Sequence, residues 1–130
     1  MLIIKPIQDK EYQQTVCKEC GFEYDSSLFA YSAKIDEQLI AACQFDIFGK
    51  NASITHFGMT ANAEEDIEAL IILGRAVLNF LDLTGVKTCT FDSTLDTSDK
   101  YAKMLGFKAQ DNKKIILLEG LFDAKCSHDK

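Results

Sequence analysis

Two side chains of this sequence could exchange protons with a substrate. His56 lies in a predicted strand, and an imidazole with an unperturbed pKa of about 6.5 can take a proton from an ammonium group near neutral pH. Tyr101 lies in a short predicted helix, and its phenolic hydroxyl can donate a proton. We predict His56 and Tyr101 as catalytic residues, with a structural role as the alternative for each.

A Cys-x-x-Cys motif at Cys17 and Cys20 has the spacing of redox pairs and of zinc half-sites. The motif closes a predicted helix, where the helix dipole opposes a thiolate and so disfavours redox chemistry. A zinc site would need Cys126 and His128, whose Cys-x-His spacing is not a standard half-site. We therefore predict two thiols that pack as small apolar side chains, and no bound metal.

The net charge of −6 over 130 residues restricts the classes of partner. Nucleic acids and anionic membranes bind basic surfaces, and the sequence has no block of Lys or Arg, so we predict neither as a partner. The apolar start, Met1 to Ile4, is too short for a signal peptide or a membrane span. We expect a cytoplasmic protein with one domain over residues 1–122 and a polar tail over 123–130.

Hydrophobic periodicity predicts alternating strands and helices. Three antiparallel strands form a meander between the first helix and a long second helix. The predicted elements are a strand at 2–5, a helix at 10–20, strands at 29–35, 39–47 and 53–59, a helix at 63–84, a strand at 86–91, a helix capped by Asp96 and running to Leu105, and a strand at 115–118. This order predicts an α/β fold, a mixed central sheet with helices on both faces.

The long helix carries clear start and stop signals. Asn62 is a plausible N-cap, Glu65 would complete a capping box, and Gly85 would end the helix. Gly74 lies on the apolar face although it disfavours a helix by about 1 kcal/mol relative to Ala. We therefore predict a close approach of the helix backbone to the sheet at Gly74.

Three features of the sequence resemble the acyl-CoA N-acyltransferase (GNAT) superfamily. They are the order of elements, the run from Leu73 to Phe80 that leads to Gly85, and the segment from Tyr101 to Phe107 that ends in Leu-Gly-Phe. The resemblance implies acetyl-CoA or another acyl-CoA as co-substrate, transfer of the acyl group to a small-molecule amine, and a possible homodimer. The implied cofactor contacts are Phe57, Gly58 and Met59 on the third meander strand, and Ala69 and Leu70 on the long helix. The acceptor would enter over the connection between residues 21 and 28.

The sequence departs from the GNAT pattern at two places. The glycine-rich pyrophosphate signature falls on Glu65, Glu68 and Leu70, and none of them matches. The usual catalytic tyrosine falls on Ala102, and its neighbour Tyr101 is rotated by about 100° around the helix. The alternative function is therefore a catalytically degenerate GNAT-like domain that senses a ligand or binds another protein.

Overall fold

The computed structural model describes residues 1–93 and 98–118, and these residues form seven strands and three helices. In chain order the elements are β1 (Leu2–Pro6), α1 (Lys10–Cys20), β2 (Phe29–Ile35), β3 (Gln38–Phe48), β4 (Asn51–Met59), α2 (Ile67–Leu83), β5 (Thr88–Phe91), α3 (Ser98–Leu105), β6 (Lys108–Gln110) and β7 (Lys113–Leu117). The strands make one sheet in the order β1-β2-β3-β4-β5-β7-β6. Among the described strands only the β4–β5 pair is parallel, so the predicted mixed sheet is confirmed.

Helix α1 covers one face of the sheet. Its buried residues Val16, Cys17 and Cys20 pack with Ala30 of β2 and Ala42 of β3. The bounds of α1 agree with the predicted helix, and Gly21 ends it in the left-handed conformation with φ +74°. A small second core therefore fixes the position of α1 against β2 and β3.

Helices α2 and α3 cover the opposite face and enclose the larger core. Ala41 and Cys43 of β3 face this core, whereas Ala42 between them faces α1, because side chains alternate along a strand. The fully buried members with the largest side chains are Phe45, Ile54, Phe57, Leu70, Leu73, Leu78, Leu81 and Leu118. The prediction of helices on both faces is confirmed.

A β-bulge interrupts β4 at Thr55. Gln44 of β3 pairs with His56 while the next residue, Phe45, pairs with Ile54, so Thr55 is an extra residue in β4. A bulge reverses the alternation of side chains beyond it. As a result Ile54 and Phe57, three residues apart, both face the core under α2. His56 is turned to the face of the sheet that carries α1.

The predicted start of α2 is wrong by four residues. The helix begins at Ile67 rather than Ala63, and its N-cap is Asp66, whose Oδ1 accepts a hydrogen bond from Ala69 N at 3.0 Å. Residues 63–66 carry three carboxylates and only one partly buried apolar side chain, so a helical turn there would bury little. Asn62 and Glu65 therefore make no capping box.

The predicted end of α2 is confirmed. Gly85 has φ +96°, its N–H donates to Asp82 O at 3.1 Å, and Val86 N donates to Leu81 O at 3.0 Å. These two bonds form a Schellman motif, which satisfies carbonyls of the last turn.

The close approach at Gly74 is present, but its partner is α3 and not the sheet. A β-carbon at position 74 would lie 2.6 Å from Leu105 Cδ1 and 3.1 Å from Leu105 Cγ. The sequence shows that a neighbour is close, whereas the identity of that neighbour depends on where α3 packs.

One strand was not predicted. β6 pairs with β7 through a two-residue turn at Asp111 and Asn112, both with positive φ. A strand of three exposed residues carries no apolar alternation, so periodicity could not reveal it. The predicted cap Asp96, the tail at 123–130, and Cys126 and His128 lie outside the described residues. Among the residues that the structure describes, no helix is both long and apolar enough to cross a lipid bilayer.

Candidate functional site

The pairing between the parallel strands β4 and β5 ends halfway along β4. Their pairing runs from Asn51 and Thr88 to Ile54 and Phe91, and Asp92 N donates a last hydrogen bond to Ile54 O at 2.7 Å. β4 continues to Met59, and no described strand lies on this side of residues 55–59. We call residues 55–59 the open edge of β4. Ligands of α/β proteins commonly bind beyond the carboxyl ends of parallel strands, where such a gap forms.

The backbone of the open edge offers donors and acceptors to a ligand. Thr60 N donates to Ile40 O of β3 at 2.8 Å. Because backbone groups alternate in direction along a strand, the N–H and C=O of Gly58 also face β3, and those of Phe57 and Met59 face the gap. Of the three predicted contacts on this strand, Phe57 and Met59 have backbone groups suited to a ligand in the gap.

A buried hydroxyl lies at the end of β5. Ser93 is 5% exposed, and its Oγ has no hydrogen-bond partner among the described residues. An unpaired buried polar group costs about 1–3 kcal/mol, so such groups normally meet a partner. Because Ser93 follows β5 by two residues, it lies at the mouth of the gap between the two strands.

Tyr101 is held on the α2 and α3 face of β4. Its ring is 4% exposed and packs edge-on against Phe57, with the ring centroids 5.6 Å apart. Its hydroxyl donates to Glu65 Oε2 at 2.9 Å, and Lys100 Nζ lies 2.7 Å from Glu65 Oε1. The bond from Lys100 and then that from Tyr101 lower the pKa of Glu65, so this carboxylate stays ionised.

His56 lies on the other face of β4. Its Nδ1 is 3.0 Å from Gln44 Nε2 and 3.1 Å from Thr55 Oγ1, and its ring centroid is 5.3 Å from that of Phe22. Burial lowers the pKa of His56, and the nearby carboxylates of Glu23 and Asp25 partly oppose this shift. The structure therefore places Tyr101 against Phe57 but puts His56 and Tyr101 on opposite faces of β4.

The first turn of α2 is already capped by the carboxylate of Asp66, which lies just before the helix. Ala69 N donates to Asp66 Oδ1 at 3.0 Å and Leu70 N donates to Asp66 O at 3.1 Å, so neither predicted contact has a free N–H. Glu64 and Glu68 are exposed beside this turn. A diphosphate would meet repulsion there, at about 0.3–1 kcal/mol for each exposed charge.

Sequence reasoning missed two fully buried glutamines, Gln44, which contacts His56, and Gln13, which contacts Gln44. A signal was present, because Gln44 interrupts an apolar strand and a buried polar side chain is rare without a partner. The role of Glu65 as the acceptor for Tyr101 was also missed, since the two residues come from different elements.

The two cysteines at the end of α1 are packing residues. Cys17 and Cys20 are buried beside Val16, which raises the pKa of their thiols to about 11 and about 12. Within residues 1–93 and 98–118 no three His, Cys, Asp or Glu side chains come together as metal ligands. Packing as small apolar side chains is confirmed for both.

Solved structures of acetyltransferases share this architecture. An N-acetyltransferase from Staphylococcus aureus Mu50 has a TM-score of 0.68 at 13% identity, over 92% of this chain and 99% of its own. A GNAT family acetyltransferase from Brucella melitensis, in complex with acetyl-CoA, has a TM-score of 0.65 at 15% identity, over 90% of this chain and 88% of its own.

The chain has the GNAT fold. No protein-family model and no curated protein matches the sequence. The KacTA–DNA complex shows the same fold, with a TM-score of 0.65 at 12% identity over 98% of this chain and 99% of its own. At such identities a shared fold carries no substrate with it, since one of these similar structures contains acetyl-CoA and another contains DNA.

Proposed function

We propose that this GNAT domain is an acyl-CoA-dependent N-acyltransferase that acts on a small amine, with acetyl-CoA as the simplest donor. The observation that carries the proposal is the open edge of β4, where the backbone groups of Phe57 and Met59 face a gap beside the Ser93 hydroxyl, which has no partner among the described residues. The pantetheine arm of CoA is an extended chain with two amides. It can pair with the open edge as an added strand would.

The reaction joins the amine to the acyl group. The amine nitrogen attacks the thioester carbonyl, a C–N bond forms, and the C–S bond breaks with its electron pair leaving on sulfur. The amine loses a proton to solvent, the Tyr101 hydroxyl gives its proton to the departing thiolate, and solvent reprotonates Tyr101. In this role Tyr101 must exchange its hydrogen bond with Glu65 for one to sulfur.

Charge supports an amine as the acceptor. The connection between α1 and β2 carries Glu23 and Asp25, which both act on the charge of His56 and so lie close to it. The net charge of −6 also favours a cationic over an anionic substrate. The acceptor would enter over this connection and reach the open edge from the face that carries α1.

Calorimetric titration with acetyl-CoA, and with S-acetylpantetheine that lacks the nucleotide, tests the donor. The Glu68→Gln variant removes one exposed charge from the start of α2, so its affinity for acetyl-CoA should rise about two- to fivefold while that for S-acetylpantetheine stays constant. Asp82→Asn, in the last turn of the same helix, is the matched control and should bind as the unmodified protein does. No binding of either donor would remove the proposal.

A second candidate function is a GNAT-like domain that binds a ligand without acyl transfer. The Asp66 carboxylate on the first turn of α2 favours it, because this group occupies an N–H that a diphosphate would need. Release of the CoA thiol in the presence of a panel of small amines separates the two. Acetyl-CoA binding without amine-dependent thiol release would support the second function and contradict the first.

A further inference from the structure

A chain of hydrogen bonds through two buried glutamines ends at His56. Gln13 of α1 and Gln44 of β3 are both 0% exposed. Gln13 Nε2 donates to Gln44 Oε1 at 2.9 Å, and Gln44 Nε2 lies 3.0 Å from His56 Nδ1. The network therefore connects α1, β3 and β4 through the core.

The orientation of the Gln13 amide is fixed at both ends. Its Oε1 lies 3.1 Å from Lys10 Nζ, and an ammonium group can only donate. Its Nε2 lies 3.2 Å from the carbonyl oxygen of Leu28, which can only accept. A flipped amide would set donor against donor and acceptor against acceptor, so the oxygen and nitrogen positions follow from chemistry.

The orientation of the Gln44 amide follows from Gln13. Gln44 Oε1 accepts from Gln13, and Gln44 Nε2 donates one hydrogen to the carbonyl oxygen of Glu23 at 3.0 Å. The second hydrogen of Nε2 points to His56 Nδ1, which must accept it. The Thr55 hydroxyl has one hydrogen, which it can give either to the backbone carbonyl oxygen of Gln44, 3.2 Å away, or to Nδ1, 3.1 Å away, so it does not force a proton onto Nδ1.

We propose that the Gln13–Gln44 network holds His56 as a neutral imidazole with its proton on Nε2, and that this N–H donates a hydrogen bond to the carbonyl oxygen of the acyl thioester. The identity of the ligand rests on the proposed acyltransferase function, whereas the position of the proton does not. No described residue accepts from Nε2, and the ring is half-buried, so this donor is available to a ligand.

A base role for His56 conflicts with the network. An imidazolium carries hydrogen on both nitrogens, so Nδ1–H would oppose the Gln44 N–H. Relief requires Gln44 to turn, which would also break its bonds to Gln13 and to Glu23. The charged groups that face the ring are Glu23 and Asp25 of the 21–28 connection, and they offset only part of the effect of burial on the pKa of His56.

Gln44 is then a positioning residue that acts through His56. A donor aimed at a thioester carbonyl stabilises the negative charge that develops on its oxygen when the amine attacks. The proton that the amine loses goes to solvent, as in the reaction above. His56 stabilises the negative charge on the carbonyl oxygen through the partial positive charge of its Nε2–H group, and its protonation does not change during the reaction.

Long-range proton–nitrogen NMR of the full chain, labelled with nitrogen-15, tests the tautomer directly. The chain has two histidines, and His128→Gln assigns their signals. We expect Nδ1 of His56 in the unprotonated range, Nε2 in the protonated range, and a pKa below 6.5. A protonated Nδ1, or two nitrogens averaged between the tautomers, would overturn the proposal.

The Gln44→Glu variant should reverse the position of the proton on the His56 ring. A carboxylate accepts where the amide donated, so the proton should move to Nδ1 and the pKa of His56 should rise by about one unit or more. Gln14→Glu, on the exposed side of α1, adds the same charge outside the network and should leave the tautomer unchanged. An unchanged tautomer in folded Gln44→Glu contradicts the proposal, and the spectra of the unmodified protein decide it if this variant does not fold.

Titrations of the labelled protein with acetyl-CoA and with CoA test the ligand contact of His56 separately from its tautomer. Saturating acetyl-CoA should shift the Nε2 signal of His56, and CoA, which lacks the thioester carbonyl, should shift it much less. Equal shifts with both would overturn the carbonyl contact. Absence of binding by either would instead remove the acyltransferase proposal, with the position of the proton already decided in the free protein.

Discussion

Gly74 of α2 lies directly against Leu105 of α3. A β-carbon at position 74 would come within 2.6 Å of Leu105 Cδ1, well inside van der Waals contact. This contact fixes α3 on α2, and Tyr101 lies one turn earlier on α3, against Phe57 of β4. The close packing at Gly74 therefore helps to determine the position of Tyr101, the candidate acid.

Gly74→Ala should destabilise the protein by about 1–3 kcal/mol, because the side chain of Leu105 must shift within a packed core. In a Leu105→Ala background the obstacle is gone, and the same substitution should stabilise by up to about 1 kcal/mol through helix propensity. Urea titrations of the four proteins in this cycle measure both signs. A raised midpoint for Gly74→Ala alone, at unchanged slope, would contradict the close packing.

Asp66→Ala should lower the free energy of unfolding by about 0.5–2 kcal/mol, because Ala69 N loses its capping partner. Asn62→Ala is the matched control, since Asn62 is exposed and caps no helix. Its effect should stay within about 0.5 kcal/mol. Denaturant midpoints that rank these two variants in the opposite order would restore the helix start that the sequence predicts.

Tyr101→Phe tests the proton donor, because it retains the ring against Phe57 and deletes only the hydroxyl. If Tyr101 protonates the thiolate, turnover should fall about a hundredfold or more. The hydrogen bond that is lost runs to the solvent-exposed carboxylate of Glu65, so the denaturant midpoint of the variant should stay close to that of the unmodified protein.

Tyr12→Phe makes the same chemical change on α1, where the ring faces Lys34. It should leave turnover unchanged. A Tyr101→Phe protein that turns over at the rate of this control would assign Tyr101 a structural role.

The turn between β2 and β3 can be stabilised at Glu37. Asp36 and Glu37 have φ of +50° and +69°, a conformation that costs side chains other than Gly about 1–2 kcal/mol. Glu37→Gly should therefore raise the free energy of unfolding by roughly 0.5–1 kcal/mol. Gln38→Gly, at the first residue of β3, should lower it by a similar amount, and thermal unfolding of both variants measures the difference.

Local patterns were sufficient for most of the sheet and for α1. The bounds predicted for α1 and β2 agree with the structure because a left-handed Gly21 and an alternating strand are both readable within a few residues. The predicted start of α2 at Ala63 is wrong because its N-cap is Asp66 and not Asn62. Residues 63–66 have little apolar surface to bury, so the helix begins only where Ala69 and Leu70 can pack into the larger core.

The sequence by itself determined the order of elements, the α/β class and the resemblance to the GNAT fold, since these follow from hydrophobic periods and helix ends. The tertiary structure decided which side chains meet. Tyr101 reaches Glu65 across 36 residues, and Gln13 reaches Gln44 across 31. Such contacts depend on how helices pack on the sheet and on the bulge at Thr55, and neither leaves a periodic signal in the sequence.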